Sequence, residues 1–250
     1  MKDINNFAVV ILAAGKGKRM KDPEMPKVLV ELAGKPLLGY VLEQAVKLSP
    51  EKIVVVVGHG KDKVIDYVNS YELDNVDFVE QEHQLGTGHA TMQAGPKVCG
   101  YEGETLVLCG DVPFLSAETL QNFISQHRED ESDVSVLTAT APDPAGYGRI
   151  LRDEDGKFQA IVEDKDATEE QKKVDEINSG VFFVKTSLLF ASLKSVSNDN
   201  AQQEYYLTDI VDILKEDSSV NAYKAASFDE LMGINSPDQL KEAEELVTEQ

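Results

Sequence analysis

The chain has 250 residues, 42% of them hydrophobic and 28% charged, with a net charge of −21 at pH 7. That balance suits one large folded domain, and so strong a negative field excludes a general binder of nucleic-acid backbones. Cys99 and Cys109 make neither a disulfide framework nor a zinc spacing, and no apolar stretch nears the roughly 20 residues that span a bilayer, so no membrane partner and a reducing, cytoplasmic setting are expected.

Residues 7–12 (FAVVIL) are a continuous apolar run rich in Val and Ile, the pattern of a strand buried on both faces. The run ends in glycines and bases, with no small-residue cleavage site, so no signal peptide is read here. A Gly- and Lys-rich loop follows through Lys27. Pro36 then opens a helix whose Leu37, Leu38, Val41, Leu42, Ala45 and Val46 recur at helical spacing. Residues 52–57 (KIVVVV) predict a second buried strand, 61–71 a helix, 76–79 a short strand, and 86–94 a helix entered through Thr87. Residues 105–109 (TLVLC) predict another buried strand, followed at once by Gly110 and Asp111. Ser116 is a good N-cap for a helix running to about His127. Alternation of this kind, with short junctions, predicts a parallel sheet with helices on both faces. Ligands of such sheets bind beyond the carboxyl ends of the strands, where the loops after Leu12 and Cys109 both lie.

The texture changes after residue 130. Residues 134–138 predict a strand, and 147–151 and 158–162 flank Asp155-Gly156, a hairpin signal. Residues 164–176 form a polar, acidic excursion. Then follow a strand over 180–184 (GVFFV), a helix over 205–214, an edge strand over 220–225 and a closing helix over 237–247. No repeat or linker divides the chain, so residues 1–250 are expected to form a single domain whose second half extends the same sheet.

Three segments carry chemistry. Leu12, Ala13, Ala14, Gly15, Lys16, Gly17, Lys18, Arg19 and Met20, ending in Pro26 and Lys27, form a small-residue loop. Its backbone N–H groups could cradle phosphate while Arg19 and Lys27 supply charge; a plain glycine turn with solvated lysines is the other reading. A third glycine is missing at Met20, which excludes the dinucleotide fingerprint, and no Gly-Lys-Ser/Thr follows, which excludes a Walker A loop. Gln81, Gln84, Gly86 and Thr87 bring amides and free backbone groups to a helix entrance, where they could read a base edge or merely cap the helix. His89 beside them reads as a helix-surface or packing histidine rather than a catalyst. Asp111, just past a buried strand, is a natural ligand for a hard cation or an ordinary turn residue.

Together these segments resemble the uridyltransferase domain of bacterial N-acetylglucosamine-1-phosphate uridyltransferases over about residues 7–247. The family's LAAGxGxRM…PK signature stands at residues 12–20 and 26–27, and its QxxQLGTGHA stretch at 81–90. Its GDVP, GYGRI, EDKDAT, NSG and EYYLTD segments stand at 110–113, 146–150, 163–168, 178–180 and 204–209. The resemblance implies a Rossmann-like nucleotidyltransferase (glycosyltransferase-A-like) α/β fold with a mixed, mostly parallel sheet. It implies a nucleotide-binding half over about 1–130 and a sugar-binding half over about 131–250. The implied reaction joins UTP to N-acetylglucosamine-1-phosphate, giving UDP-N-acetylglucosamine and pyrophosphate. By matching position, Leu12, Ala13, Ala14 and Gly15 contact nucleoside and phosphates, and Arg19 and Lys27 contact phosphates. Gln81, Gln84, Gly86 and Thr87 hold the uracil. Gly148, Glu163, Asn178 and Thr208 bind the amino sugar. Asp111, which follows Gly110, and Asn235 hold Mg²⁺.

This sequence departs from the family pattern at Lys18, at an extra Pro23 and at Val30. It also ends at Gln250 without the hexapeptide repeats of the family's acetyltransferase β-helix, so acetyl transfer is not expected and no trimer is inferred. The competing expectations are a same-fold transferase for another base or sugar, and a silent nucleotide-sugar sensor.

Overall fold

In a computed structural model, which describes residues 6–17 and 25–248, the first apolar run is strand β1 (Phe7–Ala13). A small hairpin, β2 (Glu31–Leu32) and β3 (Lys35–Pro36), leads into helix α1 (Leu37–Lys47). Then come β4 (Lys52–Val57), α2 (Lys61–Asn69), β5 (Val76–Glu80), α3 (Thr87–Gln93), α4 (Gly95–Val98), β6 (Glu104–Cys109) and α5 (Ala117–Glu129). The second half supplies β7 (Val134–Thr140), β8 (Arg149–Arg152), β9 (Phe158–Val162), β10 (Glu176–Lys185), α6 (Thr186–Leu193), α7 (Asp209–Leu214), β11 (Val220–Lys224) and α8 (Pro237–Thr248).

The main sheet runs β11-β7-β10-β6-β1-β4-β5, and β8 with β9 hangs from β10. Pairings along it are parallel except the two made by β10, which is antiparallel to β6 and β7. The sheet is therefore mixed and mostly parallel, and the second half continues it as expected. Alternation along β1 divides the core. Phe7, Val9, Ile11 and Ala13 pack with α1, α2 and α5 on one face, while Ala8 and Val10 pack with α3, α6 and α7 on the other. Both faces are covered, which is why β1, β4 and β6 read as unbroken apolar runs.

The order of strands fixes the place of the site. From β1 the chain builds outward through β4 and β5, then returns to lay β6 on the other side of β1. The loops leaving β1 and β6 diverge, opening a crevice at the carboxyl ends of the strands. A third cluster, with Leu32, Leu37, Met232, Ile234 and Ala243, docks α8 on the small hairpin. That docking brings residues 233–235 back to the crevice, where Ile234 N donates to Asp111 O at 3.0 Å.

Ser116 caps α5 as expected, its Oγ accepting from Thr119 N at 3.1 Å. Three expectations shift. β10 starts at Glu176 rather than 180, because Asn178 and Ser179 make its first half polar, and a register shift falls between Asn178 and Phe182. The helix expected over 205–214 begins only at Asp209. Tyr205 is instead held in a β-like clasp, its N donating to Leu85 O and its O accepting from Gly88 N, both at 2.8 Å. Helix α6 was not expected, since its apolar residues are not confined to one face.

Candidate active site

The crevice is a cleft of about 610 Å³. Leu12, Ala14, Gly15, Lys16 and Gly17 line it from the loop after β1, with Lys27 and Val28 beside them. Gly17 adopts φ +59°, and a Cβ there would stand 2.8 Å from Lys27 Cβ. Glycine is thus required twice, by dihedral and by the approach of Lys27. Arg19 lies outside the described residues.

Lys27 donates to the Asp111 carboxylate and, at 2.5 Å, to Asn235 Oδ1. The amide orientation of Asn235 is set independently, because its Nδ2 donates to Gly233 O at 3.2 Å. Asn235 N donates to Gln239 Oε1 at 2.8 Å, which fastens the turn to α8. A carboxylate and an amide oxygen therefore converge on one cation. Among the described residues there is no cluster of three or more His, Cys, Asp or Glu suited to a metal ion. The donor set still fits Mg²⁺, which commonly takes one or two protein oxygens and completes its shell with phosphate and water. Cys109 beside Asp111 is no nucleophile: burial, reinforced by the Asp111 charge, pushes its thiol up to about 12.

Gln81, Gln84, Gly86, Thr87 and Ala90 line one end of the cleft. Gln81 is 3% exposed, and its Nε2 donates to Gly86 O at 3.1 Å and to His89 Nδ1 at 3.0 Å. Gln84 Nε2 turns back to Gln81 O at 2.9 Å. The loop is clasped by a distant segment. Leu207 N donates to Thr87 Oγ1 at 3.1 Å, and a Cβ on Gly86 would come within 2.5 Å of Tyr205 O.

Gln202 and Glu204 also line the cleft, from the segment that clasps Gly86, a Cβ on which would stand 2.9 Å from Glu204 Cβ; Tyr147, Ser179 and Gly233 complete the wall. Behind it, Thr208 Oγ1 donates to Glu163 Oε1 at 2.9 Å, and Asn178 N donates to Gly148 O at 2.8 Å. A Cβ on Gly148 would stand 3.5 Å from Glu163 Cδ. Glu163, Thr208, Gly148 and Asn178 thus form one connected group. Burial raises the Glu163 pKa, with Asp209, Asp166 and Asp164 adding to the rise and the Thr208 hydroxyl opposing it. Buried Arg149 ties the group to its surroundings, donating to Tyr147 O and, at 3.1 Å, to Asp164 Oδ1.

The structure gathers Leu12, Ala14, Gly15, Lys27, Gln81, Gln84, Gly86, Thr87, Asp111 and Asn235 in one cleft. Ala13 and Gly110 are buried in its floor without lining it, Gly110 N donating to Leu12 O at 3.0 Å. Gly148, Glu163, Asn178 and Thr208 sit just behind the wall. Sequence reasoning left Lys16, Gly17, Ser179, Gln202 and Glu204 without individual roles. Lys16 and Gly17 were findable from the glycine loop, and Ser179 and Glu204 stand inside the NSG and EYYLTD segments without a role assigned there; Gln202 carries no local signal.

A crevice at a sheet reversal, with a glycine loop and a paired carboxylate and amide on a lysine, defines a nucleotidyltransferase domain. The chain belongs to the MobA-like NTP transferase domain family, whose model matches residues 9–174. It is 46% identical over 244 residues to the bifunctional protein GlmU of Bacillus subtilis, covering 97% of this chain and 52% of that protein. It is 44% identical over 239 residues to the bifunctional protein GlmU of Listeria welshimeri, covering 95% and 51%. The chain thus spans about half the length of these curated relatives. A crystal structure of UDP-glucose pyrophosphorylase complexed with UDP-glucose shares the fold, with TM-score 0.80 and 19% identity over 97% of this chain and 98% of that one.

Proposed function

We propose that this chain transfers UMP from UTP to N-acetylglucosamine-1-phosphate, releasing pyrophosphate and giving UDP-N-acetylglucosamine. The observation that carries the reading is the meeting of Lys27, Asp111 and Asn235 in one cleft that Gln81 and Gln84 line with amides, with the paired Glu163 and Thr208 just behind its wall. The likeness to GlmU over nearly the whole chain supports the choice of substrates.

The sugar phosphate attacks the α-phosphorus of UTP in line, and pyrophosphate leaves. A phosphate monoester has a second pKa of about 6, so the nucleophile is already ionised at neutral pH and needs no general base. Catalysis reduces to holding two anions together and neutralising their charge. Gly15 and its neighbours offer backbone N–H groups to the phosphates. Lys27 adds positive charge to the cleft of a protein whose net charge is −21, and the reading gives Arg19 the same task. Asp111 and Asn235 are the residues that would hold Mg²⁺, which when bound supplies positive charge to phosphate oxygens. Gln81, Gln84, Gly86 and Thr87 hold the uracil; Gly148, Glu163, Asn178 and Thr208 bind the hydroxyl and N-acetyl groups of the sugar.

The test is pyrophosphate release across a panel of nucleoside triphosphates and sugar-1-phosphates, with and without Mg²⁺. UTP with N-acetylglucosamine-1-phosphate and metal is expected to give the highest kcat/KM. Equal use of ATP or GTP, or a preference for glucose-1-phosphate, contradicts the proposal.

A further inference from the structure

Behind Gln81 at the base end of the cleft stands a histidine to which the proposed reaction gives no task. Half-buried His89 stands near the start of α3, its ring 6.2 Å from that of Tyr205 and tilted 35° to it. Its Nδ1 meets the Gln81 side chain at 3.0 Å.

Both hydrogens of Gln81 Nε2 are engaged by the fold, one by Gly86 O and one by His89 Nδ1. A carbonyl oxygen can only accept, so Gly86 fixes which end of the amide faces inward. His89 Nδ1 must then present a lone pair, which makes the ring neutral with its hydrogen on Nε2. Burial, with the neighbouring His83, lowers the His89 pKa and favours that neutral ring. Gln93 Nε2 lies 3.3 Å from the far ring nitrogen, the longest of these contacts, and is anchored separately on His89 O at 3.1 Å. It therefore does not set the tautomer. Among the described residues none donates to Gln81 Oε1, and Gln81 lines the cleft. The carbonyl oxygen is the hydrogen-bonding atom this amide has left for a ligand.

We propose that His89 is a specificity-determining positioning residue, which by accepting from Gln81 Nε2 presents the Gln81 carbonyl oxygen to the base and so selects a ring that carries an N–H. The imide N3–H of uracil donates to that oxygen. The N3 of cytosine is a lone pair, and two acceptors repel when they face one another at an almost fully buried amide. Without His89, the buried amide keeps only its Gly86 anchor and turns more freely about its last bond. The inference rests on the reading of this end as the base site.

The experiment measures kcat and KM for UTP, CTP and N3-methyl-UTP with the wild type, His89→Leu and His89→Asn. The Asn variant keeps an acceptor near the Nδ1 position. Wild type is expected to prefer UTP strongly over both other nucleotides. His89→Leu should lose about tenfold of that preference, the scale of one hydrogen bond, through KM rather than kcat. His89→Asn should recover most of it. A His89→Leu enzyme with the wild-type UTP/CTP ratio, or with kcat lowered alike for both nucleotides, overturns the proposal. The ¹⁵N shifts of the wild-type ring give a reading independent of variant folding: Nδ1 should be unprotonated at neutral pH, and a protonated Nδ1 overturns the proposal. Wild type using CTP as well as UTP overturns the base-site reading itself, and the inference with it.

Discussion

Lys27 forms an ion pair with Asp111 across the mouth of the crevice, 84 residues away in sequence, and the same ammonium donates to Asn235 Oδ1. Both partners of the pair are largely buried, at 12% and 18% side-chain exposure. A lysine thus stands where the carboxylate and amide oxygens converge, and a divalent cation must compete with it for them.

Replacing Lys27 separates these effects. Lys27→Met leaves Asp111 without its counter-charge, and an unpaired, largely buried carboxylate is destabilising. A cation that fills the place restores stability by mass action. The nucleotide-free variant should therefore bind Mn²⁺ more tightly than wild type and gain more in Tm when Mn²⁺ is added. Turnover should nevertheless fall, by about 10²-fold if Lys27 also stabilises charge on the phosphates. Calorimetric titration with Mn²⁺ checks the first part; unchanged metal affinity would show that Lys27 is not the competitor.

Glu163 offers a trade between stability and function. Burial and the neighbouring acidic charges raise its pKa in the fold above the ordinary value near 4.5. The native state then holds this proton more tightly than the unfolded chain, so its contribution to stability falls as pH rises through that raised value. Glu163→Gln puts a neutral amide where the fold disfavours the ionised form of the carboxyl. At pH 7 the variant should melt no lower than wild type and up to about 3 °C higher, given roughly 0.5–1 kcal/mol and this chain length. Use of N-acetylglucosamine-1-phosphate should drop while UTP binding is kept. Thermal melts at pH 5 and 7, with KM for each substrate, test both halves. A variant that melts well below wild type at pH 7 would contradict the charge argument.

His127 should dominate one part of the acid response. Burial lowers its pKa to about 4, and its Nδ1 pairs with Ser135 Oγ at 2.6 Å. Unfolding lets it protonate near its ordinary value of 6.5. Its contribution to stability is thus complete above about 6.5 and is lost as pH falls toward 4. His127→Asn should start less stable at pH 7, having lost the ring packed 4.7 Å from that of Phe183, and should lose less on acidification. Parallel acid profiles for the two proteins would remove His127 from the explanation.

What the sequence revealed follows from which residues are local. The buried strands β1, β4 and β6 are apolar runs whose glycine or Gly-Asp ends mark the sheet edge. Asp111 was legible because it follows such a run by two residues, and Gln81 and Gly86 because they cluster. Asn235 could be paired with Asp111 only through the family resemblance, since 124 residues separate the two. The clasp of Gly86 and Gly88 by Tyr205 was hidden for the same reason, and it cost the reading about one turn of helix before Asp209. The role of His89 rests on two hydrogens of one amide, which no spacing encodes.

The most direct test of the account is turnover of UTP and N-acetylglucosamine-1-phosphate against Mg²⁺ concentration, for wild type and Asp111→Asn. Asn is nearly isosteric with Asp, so thermal unfolding should find the variant folded. The account predicts turnover lower by at least ~10²-fold, the scale of losing one electrostatic contact to a transition state, with a Mg²⁺ curve shifted to higher concentration or flattened. A folded Asp111→Asn protein with near-normal turnover and an unchanged Mg²⁺ curve would contradict it.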